Sequence, residues 1–195
     1  MYLIGIDEVG RGPLAGPVTV CACMIRRSDR ARLQKLCVGI KDSKKLSVGA
    51  REAWLSKINL WKKDGLVSYA VTSISNTQID KKGIAIAIKN ALRVSLTKLK
   101  VNPKECHVLL DGSLYAPLEY KKQKTIIKGD EKEFIISLAS IVAKVHRDAF
   151  MSKISKKFPY FGFEIHKGYG TQAHRDAIKK YGISSIHRAT FCHLT

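Results

Sequence analysis

Four carboxylates sit where strand ends could gather them. Asp7 and Glu8 follow the apolar run Tyr2-Leu3-Ile4-Gly5-Ile6, and Asp111 closes Cys106-His107-Val108-Leu109-Leu110. Asp130 comes after Thr125-Ile126-Ile127 and the pair Lys128-Gly129. Hard divalent cations take oxygen ligands, and Mg²⁺ keeps several of its waters, so a few carboxylates suffice to hold one. Two such ions about 3.5–4 Å apart can activate a water and stabilise the leaving oxygen of a phosphodiester. Spacing alone leaves two readings open: a metal site assembled at strand ends, or acids that begin solvated loops. Directly after the first pair, Gly10 and Gly12 let the chain turn sharply and approach a ligand closely, and Arg11 between them places a permanent cation beside the acids.

These residues need a scaffold, and the pattern supplies one. Ile4 and Ile6 share one face of a first strand, which puts Asp7 on the other face at its end. Glu8 points back the opposite way unless the strand bends. Residues 17–25, rich in Val and Cys, read as a second strand forming an antiparallel hairpin with the first. Ser47 is a suitable N-cap for a helix running to about Trp61, with Leu46, Ala50, Trp54, Ile58 and Trp61 on a core face. Residues 66–74 alternate as a strand. Residues 77–99 form the longest helical pattern, with Ile84, Ile88, Leu92, Ser95 and Leu99 on one face and Pro103 as its stop. Short strands follow at 106–112 and 125–127, then a helix over 134–145. Ile135, Leu138, Val142 and Val145 face the core from that helix, and small Ala139, Ser140 and Ala143 allow close packing on a sheet. From Phe158 the chain changes character to a small helical appendage, with a helix over about 171–181, expected to lie across the substrate face.

Composition narrows the function. Lys and Arg number 35 against 16 Asp and Glu in 195 residues, a net charge of +19, which asks for a polyanionic partner such as nucleic acid. Ribosomal and membrane-surface proteins share such a balance, so charge alone does not choose. The lysines are spread along the chain, as on a folded basic surface rather than a tail. An apolar fraction of 45% is enough for one real core. Cys21, Cys23, Cys37, Cys106 and Cys192 include no Cys-x-x-Cys pair and read as reduced thiols of a cytoplasmic protein. The opening residues read as a strand, so no secretory leader is expected, and no stretch approaches the ~20 apolar residues of a membrane span. His107 and His146 read as structural. His166 and His174 lie near the candidate site, without the spacing of a zinc set. Asp148, after Arg147, reads as an ion pair on a helix.

The stretch Gly5-Ile6-Asp7-Glu8-Val9-Gly10-Arg11-Gly12-Pro13-Leu14-Ala15-Gly16-Pro17-Val18 resembles the opening signature of the type 2 ribonucleases H, closest to bacterial ribonuclease HII, with Val9 where that family usually has Ala. Further resemblances follow in the same order: Asp42-Ser43-Lys44-Lys45-Leu46; Lys128-Gly129-Asp130 ahead of Ala139-Ser140-Ile141-Val142-Ala143-Lys144-Val145; and Lys167-Gly168-Tyr169-Gly170-Thr171 followed by His174. Together they cover nearly the whole chain. Gly83 stands where the family usually has Asn, which leaves the role of Asp80 open.

The resemblance implies an α/β, ribonuclease-H-like fold: a mixed five-stranded sheet flanked by helices, with a small C-terminal helical region. A catalytic core over 1–157 and a substrate-binding region over 158–195 would form one continuous unit. It implies an endonuclease that cuts the RNA strand of RNA–DNA hybrids. It also implies cutting 5′ of a single ribonucleotide embedded in duplex DNA, leaving 3′-hydroxyl and 5′-phosphate ends. Asp7, Glu8, Asp111 and Asp130 would hold Mn²⁺ or Mg²⁺, two ions during catalysis. Gly10, Arg11, Gly12 and Tyr169 would sense the 2′-hydroxyl and the next sugar, and Lys41, Ser43, Lys44, Lys45 and Lys167 would hold phosphates. The implied state is a monomer away from membranes. The sequence ends soon after Phe191, so a C-terminal clamp-binding peptide is not expected. Two alternatives stand beside this reading: another two-metal nuclease on this fold, such as a junction resolvase or a hybrid-only relative, and a basic binding module without catalysis.

Overall fold

The computed structural model describes residues 1–40 and 46–192. Lys41, Ser43, Lys44 and Lys45, the expected phosphate loop, lie outside the described residues. Strand β1 (Tyr2–Val9) pairs antiparallel with β2 (Val18–Arg26), from Tyr2 opposite Arg26 to Val9 opposite Thr19. β3 (Ser68–Ile74) pairs antiparallel with β2. β4 (Cys106–Asp111) runs parallel to β1, and β5 (Gln123–Ile126) parallel to β4. The result is a mixed five-stranded sheet in the order β3-β2-β1-β4-β5. The expected hairpin and sheet are therefore present.

Helices cover both faces. On one, α1 (Arg30–Leu36), α2 (Val48–Lys63) and α6 (Phe134–Ser155) bury Leu3, Cys23, Ile25 and Leu109. On the other, α3 (Asn76–Lys82) and α4 (Ile84–Lys98) bury Ile4, Ile6, Val20 and Leu110. Ser47 caps α2 by accepting the Ala50 N–H at 3.2 Å, as its type predicts, and Trp54 and Trp61 pack on the first core. Helix α6 presses on the sheet at Gly5, where an added Cβ would meet the Ile135 backbone and lie 2.7 Å from Ile136 N. Gly5 is therefore what lets the helix backbone approach β1, the strand that carries Asp7.

Two expectations about helices need correction. The pattern over 77–99 is two helices, not one, because Gly83 takes φ 81°, ψ 155° and ends α3 before starting α4. Non-glycine residues pay a steric penalty at that φ, so the break belongs to this glycine. The longest helix is α6, 22 residues. Pro103 does not end α4, which stops at Lys98; Lys100 turns into the left-handed region at φ 53°, and Pro103 opens a short 3₁₀ turn.

The C-terminal segment contains α7 (Phe163–His166) and α8 (Gln172–Tyr181), and Thr171 caps α8 by accepting the His174 N–H. Phe161, Phe163 and Ile178 share a small apolar cluster with Ala15 and Met151, so this segment is seated on the turn after β1 and the end of α6.

Candidate active site

The register of the sheet brings the first acids together. β1 and β4 are parallel neighbours paired through Ile6 and Leu110, and Asp7 and Asp111 come one residue later in each. Asp7 shares the strand face of Leu3 and Gly5, Asp111 that of Leu109, so both point to the α6 side of the sheet. Of the two readings that spacing leaves open, the solvated loop fails for Asp7 and Glu8: β1 continues through Glu8 and Val9, paired with Val20 and Thr19. Asp130 is buried in α5 (Gly129–Lys132), next to Gly129, whose N–H donates to Asp111 Oδ1 at 2.6 Å. Ser137 Oγ donates to the Asp130 carbonyl at 2.5 Å and fixes that turn to α6.

Asp7 carries the electrostatic signature of the site. Burial, followed by the negative charges of Glu8 and Asp111, pushes its carboxyl well above the usual carboxylate range. The Ser140 hydroxyl and the Glu8 N–H, 2.7 Å from Asp7 Oδ1, pull the other way. Glu8 leans toward Arg11, with 3.8 Å between Oε1 and the guanidinium. A cavity of about 310 Å³ opens here, walled by Asp7, Glu8, the Gly10-Arg11-Gly12 turn, Ser140, Lys144, Arg51 and Tyr169. Asp7, Glu8, the glycine–arginine turn and Tyr169 thus meet in one place. Lys167 does not line it: its Nζ donates to Ser152 Oγ at 2.6 Å and the Glu164 carbonyl at 2.7 Å.

A divalent cation would meet only oxygen donors at these acids, and its charge would relieve the repulsion that raises Asp7, so the donor chemistry fits Mg²⁺ or Mn²⁺. In the side-chain positions seen, no three acid, histidine or cysteine donors among the described residues are drawn tightly enough together to grip an ion. Asp7 and Asp111 each turn an oxygen to a backbone N–H instead, as repelling carboxylates do.

The walls are held by two arginines whose role sequence reading missed. Arg188, wholly buried, donates to the carbonyls of Gly10 at 2.6 Å, Arg11 at 2.9 Å and Gly16 at 3.0 Å. A trans peptide sets N–H opposite to C=O, so gripping the Gly10 and Arg11 carbonyls turns the N–H groups of Arg11 and Gly12 away from Arg188. Arg147, also wholly buried, donates to the carbonyls of Pro17 at 2.9 Å, Lys167 at 3.0 Å and Ala15 at 3.1 Å, tying the turn to the Tyr169 segment. Burial and then the charge of Arg147 lower Arg188 to about 10, which leaves it a cation at neutral pH. A Cβ on Gly10, at φ 87°, would strike the Arg147 side chain and lie 2.7 Å from the Pro17 carbonyl. Glycine is required there, whereas Gly12 faces open space.

Asp80 also finds its role. It accepts the N–H groups of Ala189 at 2.9 Å and Thr190 at 3.1 Å, and the Thr190 hydroxyl at 2.5 Å, anchoring the segment that carries Arg188. Burial raises its carboxyl, but those bonds and Arg188 outweigh it and hold Asp80 below the ordinary value. Asp148 is ion-paired on its helix as expected, but with Lys144 at 2.9 Å; Arg147 is spent on carbonyls. No signal at single-sequence level marks Arg147 or Arg188, because their partners are main-chain oxygens distant in sequence.

A mixed sheet in this order, helices on both faces and acids on its adjacent first and fourth strands define a ribonuclease-H-like protein. The ribonuclease HII family model matches residues 4–194. The ribonuclease HII of Clostridium beijerinckii is 44% identical over 191 residues, covering 97% of this chain and 67% of that protein. That of Caldicellulosiruptor bescii is 40% identical, covering 97% and 86%. Among solved structures, ribonuclease HII in the Archaeoglobus fulgidus PCNA complex superposes with a TM-score of 0.79 at 28% identity, covering 100% of this chain and 97% of that one. Ribonuclease H2 of Pyrococcus horikoshii gives 0.77 at 28%, covering 97% and 93%. A ribonuclease HIII solved with Mn²⁺ shares the fold, with a TM-score of 0.67 at 22% identity over 93% of this chain and 63% of that one. The chain belongs to the ribonuclease HII family, and is a metal-dependent endoribonuclease of ribonuclease H type 2.

Proposed function

We propose that this enzyme hydrolyses the RNA strand of RNA–DNA hybrids and cuts 5′ of single ribonucleotides in duplex DNA, leaving 3′-hydroxyl and 5′-phosphate ends. The observation that carries this reading is the convergence of Asp7 and Glu8 with the Gly10-Arg11-Gly12 turn and Tyr169 on one cavity. Asp7, Glu8 and Asp111 would hold divalent cations, Mg²⁺ or Mn²⁺, with Asp130 completing the set. Two bound ions would supply Lewis acidity, activating the attacking water and neutralising charge on the leaving oxygen. The protein does the rest. Ser140 orients Asp7, and Lys144 and Arg51 bring cations to the cavity wall where a backbone phosphate would lie.

Discrimination needs a group that meets the one hydroxyl separating ribose from deoxyribose. The N–H groups of Arg11 and Gly12, aimed by Arg188, suit that hydroxyl, and the half-exposed Tyr169 ring suits the next sugar. A groove of about 750 Å³ continues from Arg11 between α4 and residues 113–119, with Lys89 and Arg93 along it. Those cations suit the phosphates of the duplex beyond the cut. No described helix is long and apolar enough to cross a membrane. On this reading the enzyme is a monomer that removes ribonucleotides from DNA in a reducing compartment, where its five free cysteines would stay thiols.

The test is to separate cleavage from binding. Asp7→Asn removes one negative charge facing phosphate, so cleavage should disappear while duplex binding stays the same or tightens. Normal cleavage by Asp7→Asn would place the chemistry elsewhere.

A further inference from the structure

Behind Tyr169 three histidines pack against two phenylalanines, mostly edge to face. The His166 and His174 rings lie 4.4 Å apart, His187 follows at 5.2 Å from His174, and Phe161 and Phe163 close the cluster. His174 and His187 are buried. His187 Nδ1 receives the Ser184 N–H at 2.9 Å and lies 2.8 Å from the Ser184 hydroxyl, and its Nε2 lies 3.0 Å from His174 Nε2. His174 Nδ1 lies 2.9 Å from the Tyr169 carbonyl. His166 Nε2 lies 2.6 Å from the Phe161 carbonyl, and its Nδ1 receives the Gly168 N–H at 3.2 Å.

The ends of this chain dictate its protons. A peptide N–H only donates and a carbonyl only accepts, so His187 Nδ1 is a lone pair and His174 Nδ1 carries hydrogen. Between the two Nε2 atoms one hydrogen must therefore come from His187. His166 is fixed the same way, with hydrogen on Nε2. His174 and His187 are neutral, and each of their ring nitrogens is spent. An extra proton on His187 would displace the Ser184 N–H from Nδ1 and leave only the Ser184 hydroxyl to take it, and one on His174 would face the His187 N–H. The lowered basicity of both rings, from burial and then from their neighbours, agrees with that assignment.

We propose that His187 and His174 are positioning residues: a neutral relay from His187 through His174 to the Tyr169 carbonyl fixes the direction in which the Tyr169 ring enters the cavity. The same carbonyl accepts the Thr171 N–H at 2.8 Å, so the two donors hold the peptide from two sides. The inference rests on the reading above that Tyr169 meets a substrate sugar.

Two variants separate the relay from packing. His187→Gln keeps an N–H near the Nε2 position, whereas His187→Asn keeps an acceptor for Ser184 and loses the donor to His174. On a DNA–RNA–DNA junction, His187→Asn should lose about 10²-fold in single-turnover rate, the cost of an ångström-scale misplacement, with duplex affinity held. His187→Gln should recover most of that rate. In a Tyr169→Ala background, His187→Asn should add nothing, because the ring it aims is gone. Equal slowing by Asn and Gln, full activity of the Asn variant, or additive losses would overturn the relay. Nitrogen NMR of the wild-type histidines at neutral pH gives a check independent of activity and of any variant. It should show His174 with hydrogen on Nδ1 and His187 with hydrogen on Nε2, and the opposite tautomers or a charged ring would refute the assignment. Should Tyr169→Ala cut junctions at the full rate, the sugar-contacting reading of Tyr169 fails instead, whatever the NMR shows.

Discussion

Arg188→Met keeps the length and much of the volume of the side chain and removes its donors. Three carbonyls, those of Gly10, Arg11 and Gly16, then lose a charged partner. A hydrogen bond to a charged group contributes roughly 1.5–3 kcal/mol net. Against this stands the cost of burying the guanidinium, visible in its lowering to about 10. Each buried carbonyl left without a partner costs roughly 1–3 kcal/mol, offset in part by no longer burying the cation, so the net loss should be about 2–4 kcal/mol, a large share of the 5–15 kcal/mol of a typical domain. Arg188→Lys restores one donor and should fall between the two. Urea unfolding reads the stability. Single-turnover cleavage of a one-ribonucleotide duplex, under conditions where the variant is folded, reads the turn. With the Gly10 and Arg11 peptides released, the rate should fall about 10²-fold while binding to all-DNA duplex holds. A stability loss below about 1 kcal/mol with unchanged cleavage would refute the claim that Arg188 sets this turn.

Other perturbations follow from the same geometry. Gly5→Ala pushes a methyl into the backbone of α6 at Ile135 and Ile136, and should destabilise by about 1–3 kcal/mol or more in thermal or urea unfolding. Tyr169→Ala should slow cleavage at DNA–RNA–DNA junctions more than it weakens binding, measured as separate rate and affinity. Acid should erode stability through His187, lowered from 6.5 to about 4 in the folded state. The unfolded ring takes a proton first, so the contribution is whole above pH 6.5 and is lost as pH falls toward 4, at most about 3 kcal/mol in all. Urea midpoints against pH should show a shallower acid slope in His187→Gln than in the wild type.

Much of the frame was legible because local rules and the sheet agree. The Ile4 and Ile6 alternation, the Ser47 cap and the small face of Ala139 and Ala143 all took the places their types dictate. Asp7 and Glu8 were identifiable as candidates from the apolar run before them, but strand continuation to Val9 depends on pairing with β2, which no local signal at Glu8 reveals. The split at Gly83 was visible only as a weak propensity loss; the left-handed turn decided it. Ser140 reads as a small packing residue in sequence, and becomes a partner of Asp7 only because Gly5 lets α6 lie so close. Arg147, Arg188 and the histidine relay escaped for a common reason. Their partners are main-chain atoms or one another, up to 178 residues away for Gly10 and Arg188 and only 3 to 13 residues away in the relay, and neither kind of partner shows in residue types at a recognisable spacing.

On this reading the carboxylates around Asp7, with bound divalent cations, cut a strand at a ribonucleotide. A labelled DNA duplex with one embedded ribonucleotide, incubated with Mg²⁺, with Mn²⁺ and with chelator, tests it most directly. We expect a single metal-dependent cut 5′ of the ribonucleotide, leaving a 3′-hydroxyl and a 5′-phosphate, and no cut in chelator. Cleavage that persists in chelator, or activity confined to long hybrids with the single-ribonucleotide duplex left intact, would contradict it.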